Sequence, residues 1–365
     1  MIRTLLILAA AVAITCGPLA VRPAEAGPAL VFEVDTSRVL FAEDADAPWY
    51  PASLTKLMTA YMVFDALQKE SVTSKAEIVI SARANAQPKT RVGLGAGKRV
   101  TVGEALSGLI IHSANDLAMA LAEAVSGTED DFVAEMNEMA IKLGMLHTRF
   151  ANSNGLPAEG QATTARDMAI LARALLRDFP QWRYLYSEES AQVGTRTVTT
   201  HNDVLKKFDG ADGMKTGFTC GAGYNVVASA TRGGRRIVAV VLGEPSNRAR
   251  TTRAEDLLEK AFGMPQAKSD APLIDPDPVS GEELVDVAHY VPARHAADHM
   301  KIRKCFPQPA PQTVVAASGE AAAVAAAAAV VTTVAEKPTA VPTSAETAKP
   351  AAAKAVAPER KKPKG

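Results

Sequence analysis

The rhythm of apolar positions changes along the chain. Leu5 to Thr15 is a short unbroken apolar run behind Arg3, too short to span a bilayer well. Ala24-Glu25-Ala26 follows as a small-x-small cleavage pattern, so residues 1–26 read as an export signal and the mature chain is expected to begin near Gly27, in the periplasm or cell envelope. An uncleaved anchor is the alternative; a lipoprotein site at Cys16 is disfavoured by Ala13-Ile14-Thr15. Two β-rich runs, Leu30-Val31-Phe32-Glu33-Val34 and Val39-Leu40-Phe41, flank Asp35-Thr36-Ser37 and predict a hairpin. After Pro51 the spacing shifts: Leu54, Leu57, Met58, Tyr61, Met62 and Leu67 recur at three- and four-residue steps, a helix. Val102 to Gly127 is helical with a polar break at His112 to Asp116, and Asp130 to Leu143 is amphipathic. Thr163-Thr164 caps a helix that runs to Phe179, where Pro180 stops it. Valine and isoleucine return in Tyr224 to Thr231 and Arg236 to Leu242, with Gly233-Gly234 as the turn between two strands. A helix over Thr252 to Phe262 closes the pattern. Strands at both ends with helices between them predict one domain, residues 27–265, whose sheet joins the two ends of the chain.

Beyond residue 265 the pattern fades. Residues 266–306, with prolines and scattered charge, read as a short extension. Residues 307–365 are alanine, proline, valine, threonine and lysine without an aromatic residue, and cannot bury enough surface to fold, so they read as a disordered tail. Its apolar stretch Ala321 to Ala335 is short and alanine-rich for a span. The basic end, Lys361-Lys362-Pro363-Lys364, offers weak contact with anionic lipid or envelope polymer, although a solvated spacer is the plainer reading.

Composition narrows the classes. With 47% hydrophobic and 22% charged residues in 365, the chain has an ordinary globular balance. Lys plus Arg and Asp plus Glu both total 40, which gives no electrostatic reason to expect nucleic acid. Cleavage would remove Cys16 and leave Cys220 and Cys305, either one disulfide or two free thiols. His295 and His299 stand one helical turn apart near His289 and Cys305; exposed histidines explain this better than a zinc site, and no metal is assigned. Trp49-Tyr50 reads as core packing rather than a sugar platform.

Three short motifs carry chemistry: Ser53-Leu54-Thr55-Lys56, Ser113-Ala114-Asn115 and Lys215-Thr216-Gly217. A serine hydroxyl needs a base within hydrogen-bond reach to become a nucleophile. Ser53 and Lys56, three apart at a helix start, meet that need on one helix face. Lysine is a base only when burial or a neighbouring cation lowers its pKa, and Lys215 is a candidate for that cation. Ser113 is placed to relay a proton to a leaving amine, and Asn115 to hold Lys56 and a substrate amide. Gly217 would let a substrate backbone come close as an added strand. Lys215 and Thr216 would then face a substrate carboxylate, and the backbone N–H groups of Ser53 and Phe218 would form the oxyanion hole. Each motif alone is weak: about one Ser-x-x-Lys is expected by chance in a chain this long. Their order, at a helix start, a helical break and a strand, is not.

At these residues the chain resembles the penicillin-binding, serine-lysine acyl-enzyme superfamily. Further runs are similar to its low-molecular-mass D-alanyl-D-alanine carboxypeptidases: Thr101 to Leu106, Leu109 to Asp116, Met136-Asn137, Leu143-Gly144-Met145, Thr148-Arg149-Phe150, Asn154-Gly155-Leu156-Pro157, Thr164 to Met168 and Asp212 to Gly217. The resemblance covers roughly residues 28 to 263. It implies an α/β (α+β) fold of the β-lactamase/transpeptidase type, a mostly antiparallel sheet flanked by helices with a helical subdomain. It implies removal of the terminal D-alanine from peptidoglycan stem pentapeptides through an acyl-enzyme, inhibition by β-lactams, and no metal or cofactor. Carried over by position, Ser53 is the nucleophile, Lys56 the base, Ser113 and Asn115 the second motif, and Lys215, Thr216, Gly217 and Phe218 the substrate strand. An arginine near the closing helix supports the carboxylate; Arg250 fits by spacing from Leu257-Leu258, with Arg248 its rival.

Departures are equally visible. Many relatives carry histidine where Phe218 stands, and some carry arginine where His201 precedes Asn202. The relatives' second β-domain and C-terminal anchor helix are not recognisable, so membrane attachment by that route is not expected. Three rivals remain. A class A β-lactamase shares the motifs but normally has Asp where Ala114 stands and a Glu-x-x-Leu-Asn loop that Phe150 to Asn154 does not match. An endopeptidase cutting D-alanyl-diaminopimelate cross-links shares every motif. A non-catalytic peptidoglycan-binding protein would not need intact Ser53, Lys56 and Lys215.

Overall fold

The computed structural model describes residues 27–266. Sequence expectations for residues 1–26 and 267–365, the histidine cluster and Cys305 among them, lie outside this range. The described chain opens with the expected hairpin, β1 (Ala29–Glu33) and β2 (Arg38–Glu43). A 3-10 turn over Ala52–Leu54 leads into α1 (Thr55–Gln68), followed by β3 (Glu77–Val79), α2 (Ala82–Asn85) and β4 (Arg99–Thr101). Next come α3 (Val102–Ile110), α4 (Asn115–Ser126), α5 (Glu129–Leu143) and α6 (Ala165–Asp178). After them lie α7 (Tyr184–Ser187), β5 (Ser190–Val193), β6 (Arg196–Thr199) and α8 (Asp203–Lys207). The chain then forms β7 (Ala211–Thr219), β8 (Gly223–Arg232), β9 (Arg235–Glu244) and α9 (Asn247–Gly263).

The main sheet runs β2-β1-β9-β8-β7, every neighbour antiparallel. The first strand therefore pairs with the last: Phe32 lies opposite Val238 and Val31 opposite Ala239. Both faces of its centre are covered, which is why these strands read as unbroken apolar runs rather than as alternation. Leu30, Phe32, Val227, Val238 and Val240 pack into the large core with α1, α3, α4 and α6. Ala29, Val31, Val226, Ala228 and Ile237 face the other way, onto Ala254, Leu257 and Leu258 of α9. Helix α1 is apolar on nearly every side and threads the large core. β7 sits at one end of the sheet order, so one of its edges is unpaired within the sheet.

Side-chain caps set the helix starts. Thr101 and Glu104 form a reciprocal capping box on α3, and Thr128, Thr164 and Ser246 accept the N–H of Asp131, Asp167 and Ala249. The cap at Ser246 moves the closing helix forward: it begins at Asn247, not Thr252, and so takes Arg250 into its first turn. Two small hairpins, β3–β4 and β5–β6, interrupt a stretch whose sequence reads as mostly helical. Their strands of three and four residues are too short for a period of two to register. No helix among the described residues is long and apolar enough to cross a membrane.

Candidate active site

Ser53 stands in the 3-10 turn before α1, and that turn is held from several sides. Trp49 donates its indole N–H to Ala222 O at 2.8 Å, and Asn225 Nδ2 donates to Tyr50 O at 2.9 Å and Pro51 O at 3.2 Å. Ala52 takes a left-handed φ of 48°, a conformation a non-glycine residue holds only when its surroundings enforce it. Two glycines let other backbone close in. A Cβ at Gly155, whose φ is +83°, would lie 1.8 Å from Ala52 O. One at Gly217 would lie 3.0 Å from Pro51 O and 3.1 Å from Ser53 N. Gly217 is expected to leave space for a substrate backbone; in the fold its near neighbour on the Cβ side is the turn that carries Ser53.

Lys56, one turn into the helix, is fully buried. Its Nζ lies 3.0 Å from Ser53 Oγ, 2.7 Å from Asn115 Oδ1 and 2.6 Å from Asn154 O. Burial first, and the charge of Lys215 second, hold its pKa well below the ordinary lysine value, against a smaller opposing pull from Asp116. Desolvating an ammonium costs several kcal/mol, and a like charge nearby adds to that cost, so both push Lys56 toward the neutral amine.

The polar break between α3 and α4 delivers the second motif. Ser113 adopts a left-handed φ of 63°, and Asn115 opens α4. Asn115 N donates to Thr90 O at 2.7 Å and its Nδ2 to Pro88 O at 3.0 Å, which turns Oδ1 toward Lys56. Asp116 accepts from Val92 N and Gly93 N at 3.1 and 2.8 Å, clamping the loop that carries Thr90.

Lys215-Thr216-Gly217 lies inside β7, opposite Val227, Val226 and Asn225 of β8, rather than leading into a strand. Lys215 is 2% exposed and donates to Thr216 O at 2.9 Å. Burial, then Arg250, brings its pKa down to about 7. Arg250 is 4% exposed. It reaches Asn247 Oδ1 and, at 3.4 Å, His201 O, while its Nε has no partner. Burial lowers its pKa to about 10. Arg248 is exposed. A polar cavity of about 520 Å³ brings together Ser53, Ser113, Thr216, Gly217, Phe218 and Arg250. Lys56, Asn115 and Lys215 stand behind its wall. Among the described residues no cluster of His, Cys, Asp or Glu fits a metal ion.

The sequence matches the family profile of D-alanyl-D-alanine carboxypeptidase over residues 18–246. The chain belongs to this family. It is 39% identical over 240 residues to D-alanyl-D-alanine carboxypeptidase DacC of Escherichia coli, a match covering 64% of this chain and 60% of that relative. The chain thus spans less than two thirds of that relative's length. Penicillin binding protein 5 from Haemophilus influenzae superposes with a TM-score of 0.63 at 34% identity, covering 67% of this chain and 73% of the other. A penicillin-binding protein from Listeria monocytogenes, solved in its ampicillin-bound form, gives 0.58 at 31%, covering 65% and 97%. The fold is accordingly the β-lactamase/transpeptidase type.

Within this carboxypeptidase-family site, two features departed from the expected pattern. His201 lines the cavity and its ring lies 5.3 Å from that of His112; burial, Lys215, His112 and Arg250 lower its pKa. Phe218, 40% exposed, leans on Tyr224 with ring centres 4.2 Å apart. Asn154 joins the site through its backbone carbonyl. Its run Asn154-Gly155-Leu156-Pro157 carries the family resemblance, but no side-chain chemistry announces a backbone carbonyl. Trp49 is core, as expected; Tyr50 is not, and stands 39% exposed on the surface beside Ser53's turn. Cys220 is disulfide-bonded; Cys16 and Cys305, the other cysteines of the chain, lie outside the described residues.

Proposed function

We propose that the chain is an exported serine-type D-alanyl-D-alanine carboxypeptidase acting on peptidoglycan stem peptides through an acyl-enzyme on Ser53. The observation that carries this is the environment of Lys56. A neutral amine has two N–H donors and one lone pair. Asn115 Oδ1 and Asn154 O take the donors, which leaves the lone pair for Ser53 Oγ at 3.0 Å.

The reaction follows from that arrangement. Lys56 takes the Ser53 proton as Oγ bonds to the carbonyl carbon of the penultimate D-alanine. The N–H groups of Ser53 and Phe218 hold the oxyanion, each such donor contributing about 100- to 1,000-fold. The C–N bond then breaks, and terminal D-alanine leaves with a proton passed from Lys56 through Ser113. Water adds to the ester, gives its proton to Lys56, and the tetrapeptide acid departs as Oγ–H is restored. Lys215, Thr216 and Arg250 hold the terminal carboxylate; the unpartnered Nε of buried Arg250 supports this. Family membership supports the substrate, and the ampicillin-bound relative supports β-lactam binding.

The test is the intact mass of the mature protein, and of Ser53→Ala, over time with benzylpenicillin, followed by assay of D-alanine release. A persistent single adduct that requires Ser53, with D-alanine released from pentapeptide, is expected. Cross-link cleavage without D-alanine release would favour the endopeptidase. Catalytic loss of penicillin without an adduct would favour a β-lactamase. No adduct with intact penicillin would return the chain to a binding role.

A further inference from the structure

The turn between β7 and β8 is tied to the turn that carries Ser53. Ala222 N donates to Thr219 O at 3.2 Å and to Thr219 Oγ1 at 3.1 Å, and Ala222 O takes the indole N–H of Trp49 at 2.8 Å. Thr219 and Gly221 line a hollow of about 450 Å³ beside Tyr50, Pro51 and Ala52. Cys220 stands between them, half-buried and disulfide-bonded. On this side of Ser53 the hollow's one formally charged lining residue is an acid, Glu159.

The described chain ends far from that turn. Arg235, which opens β9, donates to Met264 O at 2.8 Å and Pro265 O at 3.3 Å, so the chain leaves α9 beside the β8–β9 turn. Cys220 lies past the opposite end of β8, whose ten residues measure about 30 Å. Three cysteines occur in the sequence, and export would remove Cys16, which leaves Cys305 as the partner. The 38 residues of 267–304, at up to about 3.5 Å each, reach across that distance several times over. Their last four are Lys301-Ile302-Arg303-Lys304.

Resting on the carboxypeptidase reading above, we propose that Cys220 is bonded to Cys305 and that the bond brings this basic run to the rim of the Ser53 site as a binding surface for polyanionic peptidoglycan. The bond forms as the two thiols lose two protons and two electrons to a disulfide-bearing oxidant, which becomes two thiols by exchange. Its Cα atoms then lie about 4–7 Å apart, so Lys301, Arg303 and Lys304 stay within about 20 Å of Cys220. They meet carboxylates of stems neighbouring the one being cut, a charge pattern that a polymer carries and a single stem peptide lacks. Without the bond the run would hang on a free chain from the far end of the strands, and the local concentration of cations at the cleft would fall.

A non-reducing peptide map of the exported, mature full-length chain should show one Cys220–Cys305 cross-linked peptide. D-alanine release is then compared on a single soluble stem pentapeptide and on soluble, uncross-linked glycan chains bearing many such stems. Cys305→Ser should lower kcat/KM on the glycan chains about tenfold, the worth of three exposed ion pairs, and leave the single stem unchanged. Joint replacement by Lys301→Gln, Arg303→Gln and Lys304→Gln should lower it as much with the disulfide intact, and raised salt should erase the unsubstituted chain's preference for the polymer. A free Cys220 thiol, or a bond from Cys220 to Cys16 or to a second chain, would overturn the pairing. Equal effects of Cys305→Ser on both substrates, or none on either, would overturn the cationic rim. No D-alanine from either substrate, together with no penicillin adduct on Ser53, would be the failure of the carboxypeptidase reading; it would take the rim's role with it, while the peptide map still decides the pairing.

Discussion

Lys56 and Lys215 share one electrostatic problem and resolve it differently. Both are buried amines near each other, but Lys215 keeps its charge up to about pH 7 while lowering the pKa of Lys56. The signs give a pH profile. Lys56 works as a base only when neutral, so kcat/KM should rise as pH climbs through its lowered pKa. Lys215 binds carboxylate only when protonated, so its contribution is complete well below pH 7 and is lost as pH rises through it. We expect kcat/KM for a carboxylate-bearing peptide to fall above about pH 7 through a rising KM, with kcat held. A peptide amide, lacking the carboxylate, should escape that alkaline limb. Identical profiles for acid and amide would remove Lys215 from carboxylate binding. Arg250 belongs to the same set because it is buried in the cavity wall, whereas Arg248, two residues away, points to solvent.

At the scale of elements, the site depends on how closely three backbones meet. The Ser53 turn meets the loop at Gly155 at a distance that excludes a side chain, and strand β7 at Gly217 at one that leaves little room for it. Gly155→Ala combines a left-handed φ with a carbonyl 1.8 Å from the new Cβ. It should destabilise the fold by about 2–4 kcal/mol. It should also slow acylation at least about tenfold, because the loop that must retreat carries the Asn154 carbonyl. Urea unfolding and penicillin acylation rates check both; an unchanged acylation rate would show that Lys56 does not need that carbonyl. Glu129 at the start of α5 holds the same loop from outside, accepting from Ser153 N at 3.1 Å and Ser153 Oγ at 2.7 Å.

For the whole molecule, the decisive joint is where the chain's first described strand meets its last. Glu33 of β1, 1% exposed, pairs with Arg235 of β9, and Arg253 of α9 reaches Gly27 O, Glu43 and Glu244. Removing one partner of a buried pair costs about 3–5 kcal/mol when the other is left uncompensated, whereas Arg235 keeps the carbonyls of Ala261, Met264 and Pro265. Since the Arg235 side chain is 18% exposed, Glu33→Ala should fall at the low end of that range. The penicillin acylation rate of the folded protein should be unaffected, since the joint lies away from Ser53. Thermal unfolding with a parallel acylation assay reads both. Equal stability would mean that β-sheet pairing alone holds the ends together.

The sequence by itself determined that Ser53 and Lys56 meet on one helix face, which long helices and strands form, and that the sheet closes between the two ends of the domain. These rest on local facts: Ser53 and Lys56 meet because a helix turn is 3.6 residues long, and apolar periods follow from backbone geometry. Only the tertiary structure decided what lowers the pKa of Lys56, because burial and the approach of Lys215 belong to packing and not to any residue. It alone brought in the Asn154 carbonyl, since a backbone acceptor is common to every residue and is selected by position. It chose Arg250 over Arg248 because Ser246 sets the start and phase of α9. It turned Tyr50 outward and assigned the space at Gly217 to the nucleophile turn, because close approach between segments distant in sequence has no local signature.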